Sequence, residues 1–207
     1  MTVEAVVFDI GRVLLHWDPE GAFDRAIGSA RRRALFAEVD LWEMNDRIDM
    51  GENFHQAVRD KAAAHPEWHD EIMLWERLWP EMAAPEMSLT TDLLRALKAR
   101  GIPVYALTNF GVQTMQIAER RYPFLLEFDR RFVSGELRMM KPDPAIYAHL
   151  EAETGHAPQA LLFTDDRADN ISTARARGWQ VHRFEHSRAL ARRLVAEGLL
   201  GEEDIRP

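Results

Sequence analysis

The stretch Val6-Val7-Phe8-Asp9-Ile10-Gly11 decides how the rest of this 207-residue chain is read. Val3, Ala5, Val6, Val7 and Phe8 form a short apolar run rich in β-branched side chains, the pattern of a strand covered on both faces of a sheet. The run ends on a carboxylate and then a glycine. In open α/β sheets, ligands bind in the crevice outside the carboxyl ends of the strands, so Asp9 stands where chemistry is expected if other groups join it. Taken alone, an aspartate after a strand is better explained as the cap of a loop.

The second half of the chain repeats that pattern in a regular alternation. Leu89, Leu93, Leu94 and Leu97 mark one face of a helix that Gly101 ends, and Pro103 to Asn109 is a strand closing on Thr108 and Asn109. A helix from Gly111 to Arg121 follows and Pro123 ends it. Phe132-Val133-Ser134-Gly135 is a weaker strand signal. Met139-Met140-Lys141-Pro142-Asp143-Pro144 leads into a helix with Asp143 as cap and Pro144 in the first turn. That helix turns Ile146, Tyr147 and Leu150 inward and stops at Gly155. Ala160 to Asp166 is again an apolar run ending on acids. A short helix to Arg177 stops at Gly178, Gln180 to Phe184 is a last strand, His186 to Glu197 is a surface helix, and the tail from Gly198 is expected to fray. Strands alternating with helices imply an α/β fold, a Rossmann-like, mostly parallel sheet with helices on both faces.

Between these halves, from Arg12 to about Pro85, the patterns are helical throughout. Trp68, Ile72, Trp75 and Trp79 share one helical face; packing between helices is the usual role of such a stripe, lining a pocket the rarer one. Met50-Gly51-Glu52-Asn53 is a break between two helices. Arg31-Arg32-Arg33 reads as a solvated helix face, with phosphate steering as the other reading. The expected organisation is therefore a core domain of residues 1–15 and 86–207, interrupted by a small all-helical cap of residues 16–85 that leaves and returns beside Asp9 and covers it.

Apolar residues make up 46% of the chain, enough for a proper core. The 26 basic and 34 acidic residues leave a net charge of −8. They form no long single-sign block, which argues against a nucleic-acid or membrane partner. The absence of cysteine excludes disulfides, thiolate metal ligands and a cysteine nucleophile. No targeting segment is expected at the amino end and no apolar run reaches the length of a membrane span, so the expected location is cytoplasmic. Oligomeric state is not legible.

Four polar groups fall at or just after strand ends or at a helix entrance: Asp9, Thr108-Asn109, Lys141 and Asp165-Asp166. Each has an ordinary explanation as a turn, surface or capping residue. A parallel sheet brings such ends to one edge, where three carboxylates repel one another. Two unit charges about 5 Å apart cost about 3 kcal/mol at an effective dielectric near 20. Lys141 and a divalent cation would relieve that repulsion, and all-oxygen ligands favour Mg²⁺ with waters and a substrate phosphate completing its shell.

The ordered set FDIGRVL (8–14), LTN (107–109), KPDPAIY (141–147) and FTDDRADN (163–170) resembles the haloacid dehalogenase-like hydrolase superfamily, and the resemblance runs the length of the chain. It implies a phosphatase-like enzyme, a phosphoric monoester hydrolase acting on a small phosphorylated metabolite, with sugar phosphates among the candidates. Asp9 would be the nucleophile, forming an aspartyl-phosphate. Thr108 and the Asn109 amide would hold the phosphoryl oxygens while Lys141 neutralises charge. Asp9, the Gly11 carbonyl and Asp166 would hold Mg²⁺, and Asp165 and Asn170 would orient Lys141 and metal-bound waters.

Phosphatases of this superfamily commonly carry a second aspartate two residues after the nucleophile as general acid and base. Here that position is Gly11, and a positioned acid–base group is worth about 10² to 10⁴ in rate. Good leaving groups, as in sugar-1-phosphates and acyl phosphates, would make the loss tolerable. Otherwise His16 or Asp18 would have to supply the proton, against the simpler view of His16 as a loop residue and Asp18 as a helix cap. Arg12 is placed to recognise a second anion or to lie on the surface. The rival readings are a metal-free 2-haloacid dehalogenase using Asp9, although such enzymes typically carry a tyrosine where Gly11 stands, and an impaired protein that only binds a phosphorylated ligand or a partner.

Overall fold

The computed structural model describes residues 2–205. The opening strand β1 (Ala5–Phe8) is wholly buried. Its side chains alternate between two separate cores: Val6 and Phe8 join one, Ala5 and Val7 the other. That explains a continuous apolar run instead of a polar alternation, because both faces of the strand are covered.

Four further strands join it: β2 (Val104–Thr108), β3 (Arg130–Val133), β4 (Leu161–Asp165) and β5 (Gln180–Arg183). They form one sheet in the order β3-β2-β1-β4-β5, and every pairing is parallel. β1 is central, and the chain fills one side of it before crossing to the other. The carboxyl ends of β1 and β4 therefore flank the point where strand order reverses, the usual place for a ligand crevice.

From β1 to β2 the chain is helical: α1 (Pro19–Ile27), α2 (Ser29–Glu38), α3 (Leu41–Asp49), α4 (Phe54–Ala64), α5 (His69–Met82) and α6 (Ser88–Ala99). The break expected at Met50–Asn53 separates α3 from α4, and Gly51 there has φ +98°. Along α5 most of the Trp68 stripe packs as a helix interface, with Trp75 fully buried and Trp42, Phe36 and Phe23 around it at ring-centroid distances of 5.9 to 6.3 Å, while Trp79 at its end also faces a cavity. The segments that leave and return are tied together before α6, with His16 N–H donating to Pro85 O (3.0 Å), Asp18 N–H to Met82 O (2.9 Å) and Met87 N–H to Leu14 O (2.8 Å).

The later helices are α7 (Val112–Arg121), the single turn α8 (Ser134–Leu137), α9 (Pro144–Thr154), α10 (Ala168–Ala176) and α11 (Ser187–Ala196). Asp143 caps α9 by accepting from Ala145 N–H at 2.8 Å, and Gly155 ends it in the left-handed region. Two expectations need correction. The strand signal at Phe132–Gly135 ends at Val133, because Ser134 and Gly135 open α8 instead. The tail does not fray at Gly198: Leu199 and Leu200 are buried in the larger core, and Arg100 pairs with Glu203 and Asp204 at 2.9 and 2.7 Å. No helix among the described residues is long and apolar enough to cross a membrane.

Candidate active site

Asp9 follows β1 directly and is buried; its N–H donates to Thr164 O of β4 at 2.9 Å, continuing the ladder one residue past the strand. The chain then folds back on itself, with the N–H groups of Val13, Leu14 and Leu15 all donating to Ile10 O. Arg12 sits in the left-handed region at φ +57° within that turn. The turn leaves the Asp9 side chain at the sheet edge, where Oδ1 accepts from Ile10 N–H at 2.7 Å.

Lys141, also buried, bridges two of the acids: Nζ lies 2.8 Å from Asp9 Oδ1 and 2.7 Å from Asp165 Oδ2. Asp165 accepts further from Asn170 Nδ2, at 3.1 and 2.9 Å, and from Arg167 N–H at 2.8 Å. Its carboxylate is thus fully engaged by protein groups. Burial pushes the Asp9 carboxyl upward and the neighbouring Asp165 and Asp166 charges add to that, while the Lys141 ammonium pulls it down. The two carboxylates hold the Lys141 ammonium above its ordinary range despite burial.

One oxygen each from Asp9, Asp165 and Asp166 fall within 4.8 Å of one another. Asp166 is half-buried and faces the Arg12 guanidinium at 3.9 Å, and burial raises its carboxyl above the usual range. With Asp165 held by Lys141 and Asn170, the oxygens left for a cation are those of Asp9 and Asp166, an all-oxygen pair of the kind Mg²⁺ takes. Thr108 Oγ1 and Asn170 Oδ1 are buried without a hydrogen-bond partner in the protein. An unmet buried polar group costs about 1–3 kcal/mol, which a ligand contact would recover.

These groups open onto a cavity of about 550 Å³. Its floor holds Asp9, Gly11, Thr108, Asn109, Lys141, Asp166 and Asn170, and its walls include Trp17, Trp42, Trp79 and Phe110. Of the expected site residues, only Asp165 is absent from the lining, consistent with its place behind Lys141. The Asn109 side chain is engaged by the Lys141 backbone. Its Nδ2 donates to Lys141 O and its Oδ1 accepts from Lys141 N–H, both at 2.9 Å.

His16 and Asp18 do not line the cavity. Both are exposed, and Asp18 caps α1 by accepting from Gly21 N–H at 2.9 Å. Trp17, between them, is the residue of that segment that reaches the cavity. Sequence reading missed the contribution of α3: Asn45, Asp46 and Asp49 all face the site. They lie on one helix at spacings of one, three and four, next to the Gly51 break, but nothing in the local pattern says which way that face points.

A family model described as haloacid dehalogenase-like hydrolase matches residues 3–178. The chain belongs to that family. A relative from Aspergillus oryzae, sesquiterpene phosphatase astK, is 29% identical over 180 residues, spanning 86% of this chain and 87% of its own. A HAD family enzyme from Bacteroides thetaiotaomicron, solved with magnesium and inorganic phosphate, superposes with a TM-score of 0.68 at 19% identity, covering 89% of this chain and 95% of its own. The L-2-haloacid dehalogenase of Xanthobacter autotrophicus superposes with a TM-score of 0.62 at 20% identity, over 100% of this chain and 85% of its own. Both superpositions establish the shared α/β fold.

Proposed function

We propose that this hydrolase is a Mg²⁺-dependent phosphatase that cleaves a small phosphorylated metabolite through an aspartyl-phosphate on Asp9. The observation that carries the reading is the buried Asp9–Lys141–Asp165 group, set beside the unpartnered Thr108 hydroxyl on one sheet edge. Support comes from the phosphatase relative and from the magnesium and phosphate bound in the Bacteroides enzyme.

In this reading Asp9 attacks phosphorus in line with the departing oxygen. Lys141 steadies the nucleophile and the phosphoryl charge, while the Thr108 hydroxyl and the Asn109 backbone N–H hold equatorial oxygens. The Asn109 side chain, through its grip on the Lys141 backbone, sets where the ammonium stands. Asp9, the Gly11 carbonyl and Asp166 would hold Mg²⁺, and the bound ion would neutralise charge on the transferring phosphoryl group. Asp165 and Asn170 orient Lys141 from behind.

Residues 16–85 serve as a cap over this floor, inserted in a core of residues 1–15 and 86–207. Trp17, Trp42, Trp79 and Phe110 give the cavity an aromatic wall. That wall suits an apolar or ring-bearing alcohol better than a bare polyol, so a sugar phosphate is the less favoured substrate. The rival dehalogenase reading leaves Asp166 without a role, because displacement of halide from carbon calls for no metal.

The test is a screen of phosphorylated alcohols, isoprenoid and sugar phosphates among them, with Mg²⁺ and with Asp9→Asn as control. Phosphate release by the wild type and its loss in the variant are expected. Retained turnover in Asp9→Asn removes the mechanism, and halide release from a 2-haloacid without metal favours the rival.

A further inference from the structure

Gly11 leaves the proposed phosphatase without the acid that ordinarily protonates the departing oxygen, and neither His16 nor Asp18 lines the cavity. We propose that Asp49, at the last turn of α3, donates that proton and afterwards accepts one from the attacking water. The inference rests on the phosphatase reading.

Three observations place Asp49 for this work. First, it is half-buried and lines the same cavity as Asp9, entering from helix α3 and not from the sheet edge. A substrate whose phosphorus meets Asp9 in line directs its departing oxygen away from the floor.

Second, its position is built. Ser134 Oγ donates to Asp49 O at 2.6 Å while accepting from Phe110 N–H at 2.9 Å, joining α3, α8 and the loop after β2. The Asp49 carboxylate accepts from Asn45 Nδ2 at 2.9 Å. Three glycines permit that approach. A Cβ at Gly111 would lie 2.5 Å from Ile48 Cγ2, one at Gly51 2.6 Å from Gly135 O, and one at Gly135 2.8 Å from Phe110 O.

Third, its charged surroundings favour the protonated form. Asp46 on its own helix and Asp9 at the sheet edge are the charges that bear on it, and both are acids. Of the cations that line the cavity, Lys141 is held between Asp9 and Asp165, Arg167 is paired with Asp169, and Arg12 faces Asp166 at 3.9 Å. From α4, which packs on α3, Lys61 is paired with Glu43 and His55 with Glu76, while Glu136 on α8 and the following Arg138 are exposed. Burial, aided by these acids, pushes the Asp49 carboxyl up to about 8, so it carries a proton at neutral pH. A general acid works best with a pKa near the operating pH.

The step balances. Asp9 forms a bond to phosphorus as the bond from phosphorus to the alcohol oxygen breaks, and the Asp49 proton passes to that oxygen. The Asp49 carboxylate then takes a proton from water as the water oxygen attacks the aspartyl-phosphate. Asp9 is regenerated and inorganic phosphate leaves.

The experiment compares wild type with Asp49→Asn and Asp49→Ser in the presence of Mg²⁺, on p-nitrophenyl phosphate and on a primary alkyl phosphate, across pH. Asparagine keeps an acceptor oxygen for Asn45 Nδ2, and serine gives a second variant without a carboxyl proton. In both variants kcat/KM on the alkyl phosphate should fall by about 10² to 10⁴, while the nitrophenyl ester, which leaves without a proton, changes less than about tenfold. The high-pH limb of the wild-type kcat profile on the alkyl ester should vanish. Equal losses on both esters, or none on either, overturn the assignment. If the wild type hydrolyses neither ester nor any other phosphate, the phosphatase reading falls as well.

Discussion

Asn109 and Lys141 hold each other through a closed pair of hydrogen bonds: Asn109 Nδ2 to Lys141 O and Lys141 N–H to Asn109 Oδ1, both 2.9 Å. The clamp ties the loop after β2 to the segment before α9, 32 residues on, and it fixes the backbone from which the Lys141 ammonium reaches Asp9. A net hydrogen bond is worth about 0.5–1.5 kcal/mol. Asn109→Ala should therefore cost about 1–3 kcal/mol, read as a lower urea midpoint, and kcat should drop with KM little changed. An unaltered kcat would mean that Lys141 holds its place without the clamp.

Removing the lysine is the harsher test. Lys141→Met leaves Asp9 and Asp165 as buried acids without their cation, and breaking a buried pair on one side costs about 3–5 kcal/mol. Phosphatase turnover should fall by about 10² to 10³, the usual price of one lost charge-stabilising donor. Urea melts and steady-state rates measure the two losses separately.

Metal binding has a signature that does not depend on turnover. A ligand that binds only the folded chain at about 100 times its Kd adds about 2.7 kcal/mol of stability. Thermal melts should shift upward with Mg²⁺, and Asp166→Asn should abolish most of that shift while leaving the metal-free melting temperature close to wild type. A Mg²⁺-dependent shift undiminished in Asp166→Asn would move the cation elsewhere.

The seam between α3 and the loop after β2 should be intolerant of a single methyl group. Gly111 has an ordinary extended backbone, but its Cβ would also meet Ile48 O at 2.9 Å. Gly111→Ala should cost about 1–3 kcal/mol by overpacking, in a denaturant titration. Gly11→Ala makes the contrast, since a Cβ there meets nothing within 4 Å and φ lies outside the left-handed region; it should fold as stably as wild type.

Asp49 also makes stability depend on pH. Burial pushes its carboxyl from the ordinary aspartate value of 3.8 up to about 8 in the folded chain. Between those values the folded chain binds more protons than the unfolded one, so this group's contribution is fully present below about pH 4 and is lost as pH rises through about 8. Asp49→Asn lacks that dependence. Its stability relative to wild type should climb between pH 5 and pH 8.5, in urea titrations at fixed ionic strength; a constant difference would place the Asp49 carboxyl in its ordinary range.

Much of the architecture was legible because local chemistry and global fold agree. The run to Phe8 reads as a doubly covered strand, and it is one. Asp143-Pro144 reads as a helix start and Gly155 as its stop, because caps and left-handed turns depend on neighbours in the chain. The same holds for Asp9, Thr108, Lys141 and Asp166 as a set, since a parallel sheet sends the ends of its strands to one edge whatever lies between. What lay outside local reach is everything set by contacts between distant segments. The Asn109 side chain could not be assigned to the Lys141 backbone, and Ser134 read as part of a strand until its hydroxyl was seen joining three elements. Leu199 and Leu200 passed for tail until the core received them. Above all, which face of α3 lines the cavity depends on the close approaches at Gly51, Gly111 and Gly135, and no helical period carries that information. The sequence by itself determined the sheet, the polar groups gathered at its edge and the glycine at position 11; only the tertiary structure decided that Asp49 lines the same cavity, because packing of the helices against the core, not chain order, sets the orientation of α3.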